Sequence, residues 1–361
     1  MRPNPASFTG VGSATARGRR VTSRTVPTTL AELTTLRLGG PIGRIVDVCT
    51  SGELVDAIRT ADAAGEQVLL VGGGSNLVAA DAGWPGVVVG VRTSGIHLDR
   101  QGDELAVRVE AGESWDDFVA LTVAEGWSGL ASMSGIPGLA GATPVQNVGA
   151  YGSEVADTIT SLHVYDRQTG EVANWTPEQC GFGFRTSAFK HTDRYVVLDV
   201  TFALRRSPDA VPVRYLELAR RLSVEPGGIA PSTQVRETVL ELRRSKGMVL
   251  DAADHDTWSV GSFFVNPFVD AGHAPTDCPQ WTVGGRVKLS AAWLIENAGF
   301  YKGYGQPGRV SVSTKHSLAL TNRGGATTAE LLDLAREIQS GVEKEFGIKL
   351  APEAHLVGVT L

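Results

Sequence analysis

The sequence predicts an α+β protein in which two α/β units precede a third, more helical region. Three observations carry that reading. Short β-branched runs alternate with capped helix patterns up to about residue 207, the texture turns helical from Pro208, and a glycine-rich loop from Ser134 to Gly152 separates neighbouring elements. The implied segments are a lead over 1–25, α/β units over 26–94 and 95–207, and a C-terminal α+β region over 208–361.

The elements follow in order. Arg44 to Val48 reads as a strand, and Ser51 as the cap of a helix whose Leu54, Ile58 and Ala61 share one face before Gly65 stops it. Val68 to Val71 and Val87 to Val89 complete a βαβ-type unit. A second such unit begins near Gly95 with a strand from Leu105 to Glu110. Ser114 then caps a helix, with Asp117 three residues on, Trp115, Phe118 and Val119 inward, and Gly126 as its end. Strands from Leu162 to Asp166 and Tyr195 to Leu204 close it. Helices are expected over Pro212 to Leu222 and over Thr233 to Arg244, the latter with Val235, Val239 and Leu242 on one side. The segments Ser259 to Val269, a helix from Ser290 to Asn297, and Ser317 to Leu320 follow. The last helix opens on the box Thr327-x-x-Glu330 and carries a core stripe of Leu331, Leu334, Ile338 and Val342.

Composition narrows the function classes. With 33 basic and 39 acidic residues the net charge is -6, which gives no electrostatic footprint for nucleic acid and favours small-molecule partners. No run reaches the roughly 18 apolar residues of a membrane span. Cys49, Cys180 and Cys278 are odd in number and far apart, as expected of reduced thiols in the cytoplasm. The seven histidines form no metal-ligand pattern, so no metal is expected. Residues 1–25, rich in Ser, Thr, Gly, Pro and Arg, read as a disordered lead.

Two stretches carry the chemistry. In the loop, Gly135, Gly138, Gly141, Gly149 and Gly152 with Pro137 and Pro144 rule out a long helix or central strand, while Ile136, Leu139, Val145 and Val148 rule out a plain linker. Gln146 and Asn147 add amide groups, so the loop is either ligand-facing or a crossover shaped by packing. Gly72-Gly73-Gly74-Ser75-Asn76 directly follows a strand, where consecutive backbone N–H groups can face one anion. It is a phosphate cradle or an ordinary tight turn. It lacks the Lys-Ser/Thr end of a P-loop and the context of a Rossmann fingerprint.

These two stretches, with Phe184-Arg185-Thr186-Ser187-x-Phe189-Lys190, Gly261-Ser262-Phe263-Phe264-x-Asn266-Pro267 and Pro352-Glu353-Ala354-His355-Leu356-Val357-Gly358, stand in the order seen in one enzyme family. The chain resembles the UDP-N-acetylenolpyruvoylglucosamine reductases, the MurB family, over nearly all of its length after Val26. The resemblance implies a vanillyl-alcohol-oxidase/PCMH-type FAD-binding fold of two subdomains, 26–94 and 95–207, and a UDP-sugar-binding domain over 208–361. It implies FAD held by Gly72, Gly73, Gly74, Ser75 and Asn76 at its pyrophosphate, and by Ser134, Ile136, Pro137, Gly141, Thr143, Gln146 and Arg243 elsewhere. NADPH would reduce the flavin, and UDP-N-acetylglucosamine enolpyruvate would then become UDP-N-acetylmuramate, for peptidoglycan synthesis in the cytoplasm. A monomer without nucleic-acid or membrane partners is expected.

By motif matching, Arg185 pairs with the substrate carboxylate, Ser262 delivers a proton, and Glu353 hydrogen-bonds or orients the developing charge. Hydride added to the terminal carbon of an enolpyruvyl acid leaves an enolate-like species, basic enough to take a proton from a hydroxyl. Tyr151, Tyr215, Lys246 and Asn266 would contact the substrate. His316 stands where some relatives carry glutamine. Read without the resemblance, Arg185 is a surface ion-pair residue, Ser262 a turn hydroxyl, Glu353 a solvated acid, and Arg243 and Lys246 a basic helix end. Two rivals remain: an oxidase of the wider flavin superfamily acting on a sugar or lactone, and a flavin- or nucleotide-sugar-binding protein without turnover.

Overall fold

In the computed structural model, which describes residues 26–361, the first β-branched runs lie side by side. The opening elements are β1 (Ile42–Val48), α1 (Ser51–Ala63), β2 (Val68–Val71), β3 (Leu77–Ala79) and β4 (Trp84–Val91). β1 and β2 both pair with β4 in parallel, in the order β1-β4-β2. Leu54, Ile58 and Ala61 of α1 are buried against them, the face assigned from the sequence. The helix cap is Thr50, not Ser51: the Thr50 hydroxyl accepts the Glu53 N–H, while Ser51 Oγ donates to Glu110. The expectation of a disordered lead falls on residues outside the described ones.

β5 (Ile96–Gln101), β6 (Glu104–Glu110), α2 (Trp115–Ala124), β7 (Trp127–Ser128), β8 (Gly149–Ala150), β9 (Ser153–Glu154), β10 (Ile159–Asp166), β11 (Glu171–Trp175), α3 (Pro177–Cys180) and β12 (Tyr195–Arg206) come next. The main sheet runs β11-β10-β12-β6-β5 and all its pairings are antiparallel. A second βαβ unit was the reading from strand and helix order alone. That crossover forms, since α2 and the long loop lead from β6 to β10, which runs the same way, but β12 then inserts antiparallel between the two strands. Trp115 and Phe118 of α2 pack on Phe202 of β12, with ring centres 5.8 and 5.5 Å away, and so fix the helix to one face of that sheet. Ser114 caps α2 as expected, its hydroxyl accepting the Asp117 N–H.

The remainder comprises α4 (Leu216–Leu222), α5 (Ser232–Ser245), β13 (Phe268–Val269), β14 (Gln280–Val283), β15 (Arg286–Leu289), α6 (Ala291–Asn297), β16 (Val310–Val312), β17 (Leu320–Asn322), α7 (Thr328–Phe346) and β18 (His355–Val357). The first of these helices is shorter than expected. Pro212 to Tyr215 stay outside it because the backbone of Val213 bonds to Gly227 and Gly228. Leu331, Leu334, Ile338 and Val342 of α7 are buried in the largest core cluster. The chain then returns to its beginning, where β18 pairs in parallel with β3. No helix among the described residues is long and apolar enough to cross a membrane.

Candidate active site

The glycine turn and the loop meet back to back. A Cβ on Gly73 would stand 2.8 Å from Gly138 Cα, and one on Gly74, at φ +59°, would strike the Leu33 carbonyl oxygen, so neither position admits a side chain. Ser75 Oγ donates to the Pro137 carbonyl at 3.1 Å, and the Asn76 amide donates to Gln146 Oε1 at 2.9 Å. Among the described residues, the backbone N–H groups of Gly73, Gly74, Ser75 and Asn76 donate to no protein acceptor. Four such donors in a row form a cradle for an anion. Gly73 also borders a cavity of about 610 Å³, whose other walls include Thr35, Arg37, Leu250 and Trp258.

Several loop residues hold shape instead of presenting free polar atoms. Ser134 Oγ and Thr143 Oγ1 donate to the carbonyls of Ala131 and Ala140, both at buried positions. Gly141 donates its N–H to Ala111 and lies too close to that residue for any Cβ. Ile136 packs against the core of the antiparallel sheet. Sequence reasoning missed the clamp behind the loop: Asp116 accepts the Gly135 N–H at 2.6 Å and pairs with both terminal nitrogens of Arg236 on α5. No local pattern signals a partner so far along the chain.

Arg243, on the same helix, is buried. It donates to the Met248 carbonyl through one terminal nitrogen, but its Nε is buried without a partner among the described residues. Burial lowers its pKa, opposed by Tyr151 and Asp116. An orphaned guanidinium N–H at the Gly135 end of the loop, whose Gly138 backs the cradle of free backbone donors, fits a bound group with phosphates and polar ring atoms, which FAD has. Tyr151 lies near this arginine with φ +50°, its hydroxyl pushed up to about 12 by burial. Its ring meets Tyr215 edge to face at 5.4 Å, and Tyr215 itself is 42% exposed. Lys246 pairs with Glu217 at 3.0 Å. Asn266 uses its amide oxygen to accept the Ala291 N–H, so that part of it anchors α6.

Arg185 and Glu353 come together across nearly half the chain. Arg185, at φ +53°, sends two terminal nitrogens to the carbonyls of Asn147 and Gly149 and places Nε 3.3 Å from Glu353 Oε1. Asn147 is also left-handed, at φ +45°, and its side chain joins Glu154 to Gly183. Left-handed backbone at bulky residues persists only where the surroundings enforce it, and such strain gathers at functional sites. Lys190, unassigned from the sequence, donates to the Arg185 carbonyl. The Glu353 side chain is 17% exposed, and burial raises its pKa against the opposing charges of Arg185 and Lys190. Ser262 follows Gly261, at φ +75°, and precedes Phe263, whose carbonyl accepts the Glu353 N–H at 2.8 Å. The hydroxyl is therefore one residue from a direct backbone bond to the acid. His316 packs near Lys246, Lys302 and Arg243, and burial pushes its ring down to about 4.

Comparison with known proteins agrees with this geometry. Residues 253–357 match the C-terminal domain model of UDP-N-acetylenolpyruvoylglucosamine reductase, and residues 43–176 match an FAD binding domain. Proteins named UDP-N-acetylenolpyruvoylglucosamine reductase from Salinispora arenicola and Thermobifida fusca are 53% and 51% identical. These alignments cover 92% and 94% of this chain and 95% and 99% of theirs. The crystal structure of the UDP-N-acetylenolpyruvylglucosamine reductase (MurB) from Thermus caldophilus superposes with a TM-score of 0.63 at 26% identity, covering 91% of this chain and 97% of its own. On this identity and coverage, the chain belongs to the UDP-N-acetylenolpyruvoylglucosamine reductase family.

Proposed function

We propose that the protein is an NADPH-dependent FAD enzyme that reduces UDP-N-acetylglucosamine enolpyruvate to UDP-N-acetylmuramate for peptidoglycan synthesis. The single observation that carries this is the Arg185–Glu353 pair, whose acid is backbone-bonded to the residue after Ser262, in a chain whose glycine turn keeps its N–H groups free. Bound FAD supplies the hydride relay between NADPH and the enolpyruvyl carbon. It would lie with its pyrophosphate on Gly73 to Asn76, within reach of Arg243, while Ser134, Gly141, Thr143 and Gln146 fix the loop that borders it.

The protein's own work is electrostatic and protic. Arg185, whose carbonyl contacts already orient its guanidinium, faces the substrate carboxylate where negative charge grows. Glu353, shielded from water, hydrogen-bonds that developing charge in its protonated form or orients the guanidinium in its ionised form. Ser262 gives its hydroxyl proton to the adjacent carbon of the enolate. Tyr151, Tyr215, Lys246 and Asn266 line the sugar-nucleotide side, with Lys246 aimed at phosphate. The working division is 26–94 and 95–207 for the flavin and 208–361 for the sugar nucleotide, in a cytoplasmic monomer.

Anaerobic NADPH oxidation by the purified yellow protein tests the proposal. Consumption sustained only when UDP-N-acetylglucosamine enolpyruvate is present is the expected result. Consumption that requires oxygen and ignores this substrate would make the protein an oxidase, and a flavin that never bleaches would make it a binding protein.

A further inference from the structure

Next to Arg185 stands a cation that this mechanism leaves without a task. Lys288 lies on β15 directly opposite Phe268 of β13. Its ammonium nitrogen is 4.5 Å from the ring centre of Phe184 and 5.6 Å from that of Trp281. Phe184 immediately precedes Arg185, whose guanidinium carbon is 5.3 Å from the same ring, and Phe184 packs edge-on against Phe268 at 5.6 Å. The small sheet of β13, β14 and β15 thus delivers a second positive charge onto the aromatic ring that already supports Arg185.

Among the described residues the Lys288 ammonium makes no ion pair and no hydrogen bond. Ring faces attract its charge but accept none of its three N–H donors. Burial and the nearby Arg185 both lower its pKa, with Glu154 opposing. Two like charges on one half-buried wall repel each other, and an anion placed against both relieves the repulsion and the missing hydrogen bonds together. A carboxylate has two oxygens, and the proposed role of Arg185 places one there.

We propose that Lys288 is a specificity-determining cation of the substrate site, an ammonium held on Phe184 and Trp281 to bind the enolpyruvyl carboxylate together with Arg185. The inference rests on the reading of Arg185 as the carboxylate's partner. It assigns a purpose to the sheet of β13 to β15, which carries Lys288 to the site.

The test uses the flavin-loaded protein and three variants: Lys288→Met, which keeps the stem over the ring and removes the charge; Lys288→Arg, which restores it; and Arg286→Gln, a control on the same strand. Calorimetry measures binding of UDP-N-acetylglucosamine enolpyruvate and of UDP-N-acetylglucosamine, which lacks the carboxylate. Lys288→Met should weaken the first roughly tenfold, the ratio for 1.4 kcal/mol, and leave the second unchanged. Lys288→Arg should recover most of the loss, and Arg286→Gln should match the parent, with melting temperature and flavin content constant throughout. Equal weakening of both ligands would move the ammonium to the pyrophosphate and overturn the proposal. Unchanged binding, a loss shared by Arg286→Gln, or a slower bleaching of the flavin by NADPH alone would also overturn it. If the parent protein binds the enolpyruvyl ligand and Lys288→Met binds it as tightly, only this inference falls; if the parent does not bind it, the proposed function falls as well.

Discussion

Arg185 reaches Glu353 because its own backbone is left-handed and two loop carbonyls hold its guanidinium. A lysine there has one donor centre and no planar fork, so Arg185→Lys should lower kcat/KM by roughly 10- to 100-fold, the loss of about 1.5–3 kcal/mol expected for a charge-assisted contact. Flavin content should stay intact, and a variant that simply loses its yellow colour would show that Arg185 serves the cofactor. In Ser262→Ala, NADPH should still bleach the flavin while turnover falls by roughly 10² to 10⁴, the range for a positioned acid; unchanged turnover removes Ser262 from the role. His316 makes a pH prediction. Folding holds its ring neutral down to about 4 against an ordinary value of 6.5, so between those limits the unfolded chain binds more protons. Stability must therefore fall as pH drops from 6.5 towards 4, and His316→Gln should remove that part of the acid slope. Denaturant melts across the window with identical slopes in both proteins would refute it. The motif residues were legible in the sequence because each sits in a short run of unusual composition. Asp116 and Lys288 were not, since a single aspartate or lysine acquires its meaning from a residue that folding brings to it.

At the scale of elements, local signals served well and long-range ones poorly. The α7 box formed as read: Thr327 accepts the Glu330 N–H, and Glu330 returns to the Thr327 N–H at 2.8 Å while also gripping Arg309. Thr327→Ala should cost about 1 kcal/mol, the usual value of a lost cap, read as a lower midpoint in urea; no change would mean that Glu330 and Arg309 hold the helix start alone. Thr50 took the cap from Ser51 because hydroxyls at adjacent positions compete and only geometry decides. The antiparallel course of the second sheet was invisible for a different reason. Alternation and β-branching mark a strand, but its direction depends on the route of the intervening chain, here a crossover from β6 to β10 and then a return that lays β12 between them.

For the whole molecule, the decisive contact is the pairing of β18 with β3, with Val357 and Val78 both buried. The His355 N–H bonds to the Asn76 carbonyl, so the last strand braces the end of the glycine turn and sets Glu353 beside Arg185. Removing residues 351–361 should abolish turnover and lower the melting temperature together; a truncated protein with full turnover would separate the terminal strand from the site. The same closure governs when activity can begin. A chain is made from its first residue onward, and β3 is complete long before its partner exists. Gly72 to Asn76 and Arg185 must wait for Glu353 and β18 to emerge, so a nascent chain that stops short of them lacks the carboxyl group and the bracing strand in one stroke.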